Sequence, residues 1–222
     1  MHPVDLYCER ISPGLLAEPF NSASNAAFFV AAWLLWRFAR ANGSLSAATW
    51  LLILLVATIG AGSTLFHLFA TEETRGLDLL PILVFQLVFL WCYARCVMRQ
   101  GACLAAALVT VLLGLSLYAR QYPMQLNGSL TYAPALLAVL AIAAYHSARD
   151  LAGGGEMLLA SGLLAASLFF RTVDLAVCDW LPVGTHFIWH LLNGAVLYLC
   201  VRGLLRVSDL RSAAMAIADN RR

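Results

Sequence analysis

The chain has 222 residues, of which 62% are hydrophobic and only 12% charged, against about 25% charge in a soluble globular domain. That composition excludes a soluble enzyme, a disordered chain and a nucleic-acid binder. The net charge of +2 is too small to define an electrostatic partner.

At about 20 residues per span, seven membrane helices and short loops use up the chain as one domain. The expected division is an outer acidic tail over 1–21, a helix bundle over 22–205 and a basic cytoplasmic tail over 206–222. In chain order the apolar runs fall at about 22–39, 47–70, 77–98, 102–118, 131–146, 157–172 and 185–205. Backbone polar groups in lipid must be satisfied within the segment, so these are helices. A β-barrel would show ten-residue alternation, which is absent. Pro81 and Pro134 are read into first turns, where a missing N–H costs little. The fold class is therefore all-α, a seven-transmembrane-helix bundle without internal repeat. The short polar breaks force antiparallel neighbours.

All 14 basic residues are arginine, and their distribution sets the orientation. Arg37, Arg40, Arg95, Arg99, Arg149, Arg202, Arg206, Arg211, Arg221 and Arg222 fall on one side, and Arg10, Arg75, Arg120 and Arg171 on the other. The positive-inside rule puts the first set in the cytoplasm, the N-terminus outside and the C-terminus inside. Trp33, Trp36, Trp50 and Trp91 then form an inner aromatic belt and Tyr118, Tyr122 and Tyr132 an outer one. The N-terminal tail lacks a cationic stretch leading into an apolar run, so it is not read as a cleaved signal peptide. Cys8 and Cys178 both face the oxidising side and form a candidate disulfide. Cys92, Cys96, Cys103 and Cys200 read as small buried apolar residues. Arg171 and Asp174 read as a mutual ion pair, and His146 as an interfacial residue.

Ionisable groups inside a membrane are costly, so each needs a reason. Ser63 and His67 lie in the outer part of the second span, Asp78 at the start of the third, and His186 and His190 at the start of the seventh. Three helices thus carry five polar residues to one depth. His186 and His190 are four apart on one helix face, a spacing that lets two imidazoles share a metal. His67 completes a three-histidine set with an open fourth position, as in catalytic zinc sites. Asp78 can orient a water or take its proton, and Ser63 can donate to an oxyanion. Gly60, Ala61 and Gly62 permit close helix approach. Two bland readings stand beside this one: histidines hydrogen-bonding across helices, and haem held between facing histidines.

The ordered set Tyr7–Cys8–Glu9, Ala17–Glu18–Pro19–Phe20–Asn21–Ser22–Ala23–Ser24–Asn25, Gly62–Ser63–Thr64–Leu65–Phe66–His67, Leu77–Asp78 and His186–Phe187–Ile188–Trp189–His190 resembles the alkaline ceramidase family. That family lies within a wider group of seven-helix membrane hydrolases and adiponectin-receptor relatives. The resemblance implies an amide hydrolase that cleaves ceramide to a sphingoid base and a fatty acid. It implies zinc on His67, His186 and His190, with Asp78 and Ser63 as the catalytic polar partners. It also implies a Cys8–Cys178 disulfide, and calcium held by the acidic tail, for which Asp5, Glu9, Glu18 and Asn21 are the candidates here. The expected partners are a ceramide-type lipid and membrane lipid, with no protein partner and no nucleic acid. The arginine-only, alanine-rich composition points to a bacterial inner membrane, with the site near the periplasmic face. Other readings are a related hydrolase of another lipid amide or ester, and a seven-helix lipid receptor or sensor.

Overall fold

The computed structural model describes residues 4–219, with side chains described through 207. The expected tail arginines Arg211, Arg221 and Arg222 therefore lie outside the described side chains. Among the described residues there is no strand. The α-helices are α1 (Pro19–Ser24), α2 (Ala26–Ala41), α3 (Ala47–Phe69), α4 (Glu72–Cys92), α5 (Ala102–Ala119), α6 (Ala133–Ala148), α7 (Gly154–Val173) and α8 (His186–Asp219). Six segments are long and apolar enough to cross a membrane: 47–69, 72–96, 102–119, 125–148, 154–176 and 186–207. The first expected span is shorter, because α2 has 16 residues, about 24 Å of helix. It is preceded by α1, and Asn25 between them keeps right-handed helical angles (φ −63°, ψ −16°). Residues 19–41 thus follow one nearly continuous path.

From α2 onward each helix packs on its neighbours in sequence, α2 closes the ring by contacting both α3 and α8, and α1 packs on α3 and α8. The interior is filled by Leu35, Leu52, Val56, Phe85, Phe89, Met157, Leu164 and Val201. Leu54, Leu115, Leu158 and Phe169 point outward and are exposed, as expected of a bundle with an apolar solvent around it.

Local sequence sets the helix ends. Ser46 accepts from Thr49 N and starts α3, and Ala70 in the left-handed region (φ 47°) ends it. Thr71 and Thr74 form a reciprocal capping box at the start of α4, and Glu72 and Glu73 lie in its first turn, where negative charge complements the helix dipole. This cap starts α4 five residues earlier than the apolar run did. Pro81 is consequently inside α4 rather than in its first turn. A proline there leaves the carbonyl four residues back without its N–H partner. That carbonyl belongs to Leu77, and α3 packs directly on it: a Cβ at Gly62 would overlap the Leu77 oxygen. Gly62 and Pro81 together let α3 and α4 approach closely, which sets Asp78 beside the face of α3 that carries Ser63 and His67.

Two further expectations are corrected. His146 is fully buried and its ring lies tilted against Tyr93 with centroids 5.6 Å apart, so it belongs to the interior rather than an interface. Tyr132 is likewise buried and leaves the outer belt, whereas Tyr118 and Tyr122 are exposed.

The N-terminal segment folds over the end of the bundle where α3 ends and α8 begins. Val4 N donates to Ala70 O at 2.7 Å, and Cys8 is disulfide-bonded to Cys178.

Candidate metal centre

Two helices deliver the histidines. His67 comes from the last turn of α3, and His186 and His190 from the first two turns of α8. All three are essentially inaccessible, and one ligand atom from each lies within 4.8 Å of the others.

The start of α8 is held by Asp174, whose Oδ1 accepts from Thr185 N at 2.6 Å and His186 N at 2.9 Å. Its Oδ2 accepts from Cys8 N at 3.2 Å. A carboxylate there satisfies orphan donors and the helix dipole together. Gly184 (φ 62°) makes the turn, and a Cβ at that position would strike the Asp174 carboxylate. The expected Arg171–Asp174 ion pair is therefore replaced. Asp174 caps α8, while Arg171 donates to the Tyr7 hydroxyl at 3.1 Å and lies over the rings of Tyr7, Tyr132 and Trp189 at 5.3–5.6 Å. Backbone donors closer to Asp174 than the guanidinium, and an aromatic cage for the cation, outcompete the pair.

The surrounding hydrogen bonds fix the ring tautomers. His67 Nδ1 lies 2.5 Å from Glu18 Oε2; a carboxylate only accepts, so Nδ1 carries the proton and Nε2 presents a lone pair. Ser24 Oγ donates to Asn21 O at 2.8 Å and lies 2.7 Å from His190 Nδ1. Its hydroxyl proton is thus used, so His190 Nδ1 donates to it and Nε2 is bare. The two Nε2 atoms face each other at 3.2 Å. Two lone pairs at that distance repel unless a cation lies between them. His186 is stacked on Tyr7 with centroids 3.7 Å apart. The donor set, its burial and its outer hydrogen bonds all fit a zinc-type ion.

Ser63 Oγ lies 3.5 Å from His190 Nε2. Asp78 is buried and interacts with the Ser63 hydroxyl, with His67 and Arg171 nearby. The five residues singled out on three spans are thus brought together. Glu18, Ser24, Tyr7, Tyr132 and Arg171 join them. Glu18 and Ser24 lie within the tail motif, but their roles as partners of imidazole Nδ1 atoms depend on how the tail folds back. For Glu18, burial works to raise the carboxyl's pKa, but hydrogen bonds from His67, Asn21 and Arg10 prevail and hold it below the usual range. Burial raises the Tyr7 phenol above its ordinary value, with Arg171 opposing.

Of the calcium candidates, Glu9, Glu18 and Asn21 adjoin one another, while Asp5 is exposed and lines a different cavity. Glu9 accepts from Phe20 N at 2.6 Å and Asn21 N at 2.8 Å.

Two cavities meet at Tyr132. One, of about 310 Å³, carries the charged side chains of Asp5, Arg75, Asp78, Arg120 and Arg171, with Tyr7 and Asn127, along its lining. The other is apolar and extends inward past Phe28, Ile59, Phe85, Leu164, Trp189 and Val196.

Fold and site together define a helical-bundle protein of multi-pass membrane character with a buried three-histidine centre and two cavities that share Tyr132. The Ceramidase family model matches residues 7–214, and the chain belongs to the ceramidase family. No curated protein matches it.

Proposed function

We propose that this protein is a zinc-dependent intramembrane amide hydrolase that cleaves ceramide-type lipids to a sphingoid base and a free fatty acid. The observation that carries the reading is the convergence of His67, His186 and His190. Two of these imidazoles are locked by Glu18 and Ser24 with bare nitrogens toward one point. Membership of the ceramidase family supplies the substrate class.

The three imidazoles would hold the ion, which when bound polarises a carbonyl and lowers the pKa of a water. The remaining work falls to the chain. Asp78 takes the proton of the attacking water and passes it to the nitrogen as the C–N bond breaks, so the amine leaves neutral. Ser63 donates to the carbonyl oxygen as negative charge develops there. Arg171 and Tyr132 border the place where the two cavities meet, between head group and chains. The apolar cavity takes an alkyl chain, and the polar one takes the hydroxylated head.

Residues 19–41 serve as the first of seven spans, at about 1.5 Å per residue long enough to reach across the hydrocarbon layer. The arginine distribution puts the site near the outer, periplasmic face and the C-terminus in the cytoplasm.

The test is incubation of the purified protein with ceramides of varied chain length, with and without a zinc chelator, followed by mass spectrometry. Release of fatty acid and sphingoid base is expected, lost on chelation and restored by zinc. No product from any ceramide, or product unaffected by metal removal, overturns the reading.

A further inference from the structure

Arg10 is a buried cation that the reaction does not use. Its Nε donates to Glu18 Oε1 at 2.5 Å and its Nη2 to the His67 carbonyl oxygen at 2.9 Å. Glu18 in turn accepts from the His67 ring through its other oxygen. Arg10, Glu18 and His67 therefore close a three-member circuit that grips His67 at both its backbone and its imidazole. The carbonyl is one of the last four of α3, which have no partner within the helix, and a cation there also complements the helix dipole.

The same atoms bear on the expected calcium. Both Glu9 oxygens accept backbone N–H groups. Both Glu18 oxygens are engaged by Arg10, His67 and Asn21. Asp5 lines the polar cavity instead. Among these four residues, Asn21 Oδ1 is the buried acceptor without a partner, and the Arg10 guanidinium on Glu18 puts a fixed positive charge against the oxygens that a calcium ion, which takes six to eight, would have to share. The calcium ligand set does not fit.

We infer that Arg10 is the resident cation of the N-terminal segment: a positioning residue that orients His67 through Glu18 and the α3 carbonyl, in a place where no calcium ion is held. The inference rests on the reading that the three histidines hold a divalent metal. Its chemistry is specific to arginine, because one planar fork must reach a carboxylate and a carbonyl at once.

The test uses the full-length protein in detergent, as wild type, Arg10→Met and Arg10→Lys, with exposed Arg40→Ala as control. Zinc affinity is measured by competition with a chelator, well below the melting temperature of each variant. Melting temperature is recorded with added calcium and with a calcium-selective chelator.

Arg10→Met is expected to weaken zinc binding about 10–100-fold, the loss typical of an outer-shell partner. Arg10→Lys, which keeps the charge but not the fork, is expected to fall between Met and wild type, and Arg40→Ala to match wild type. The wild-type melting temperature is expected to ignore calcium. Equal zinc affinity in wild type and in the Arg10 variants overturns the inference alone, and so does a calcium-dependent rise in wild-type melting temperature. If Arg10→Met does not fold, Arg10→Lys and the wild-type calcium titration decide. A wild type that takes up no zinc overturns the metal reading and this one together.

Discussion

Asp78 and Ser24 separate two kinds of contribution to the centre. Asp78 is buried beside Ser63 and in the proposed reaction only moves a proton. Asp78→Asn keeps the shape and removes the base. Ceramide turnover is expected to fall about 10²–10⁴-fold with zinc content unchanged, read by product formation alongside metal analysis. Ser24 does the reverse. Its hydroxyl orients His190 through Nδ1 and stands apart from the chemistry. Ser24→Ala is expected to raise the zinc dissociation constant about 10–100-fold, and excess zinc to restore most of the rate. His67, His186 and His190 were conspicuous in the sequence because charge is scarce and helix spacing brings two of them to one face. Ser24 and Tyr132 were not, since a serine in a tail or a tyrosine at a span boundary has many ordinary uses. For Asp174, a three-residue spacing along a helix predicts proximity to Arg171 but not which of several partners wins, and the backbone donors of Thr185 and His186 do.

At the scale of elements, the contact between α3 and α4 decides whether the site exists. Pro81 frees the Leu77 carbonyl, and Gly62 has no side chain to hold α3 away from it. Gly62→Val forces a branched side chain against backbone that has little room to move. Destabilisation of about 1–3 kcal/mol is expected, visible as a lower melting temperature together with lost activity, because Asp78 is pushed away from Ser63. The tail works on the same scale. The disulfide from Cys8 to Cys178, the Asp174 cap and the Arg10 circuit tie one short segment to both α3 and α8. The small-residue run Gly60–Ala61–Gly62 announced close packing, but the helix that approaches, and the carbonyl it meets, depend on where α4 begins. Thr71 sets that start, and its capping box lay outside the apolar run.

For the whole molecule, the ring of helices leaves an apolar exterior and a site near the end that carries the N-terminal tail. In the proposed orientation, that end faces the outside. Against the expectation of burial, Cys96 and Cys103 are exposed and free, whereas Cys92 and Cys200 are buried as expected and Cys8 is bonded to Cys178. A membrane-impermeant maleimide is therefore expected to label inside-out vesicles and to spare right-side-out ones. Labelling from the outer side would reverse the topology and put the centre near the cytoplasmic face.

Composition and periodicity by themselves determined an all-helical apolar chain, six of its spans with ends up to about six residues off, and the five polar residues that share a depth. These follow from local rules: backbone satisfaction in lipid, the 3.6-residue repeat and the cost of burying charge. Tertiary structure alone decided which partner each buried group takes. Glu18 turns to an imidazole and to Arg10, Asp174 to the start of α8, and Arg171 to an aromatic cage. Those choices are competitions between donors and acceptors distant in sequence, settled by distance once the tail is pinned across the bundle, and no local pattern encodes their outcome.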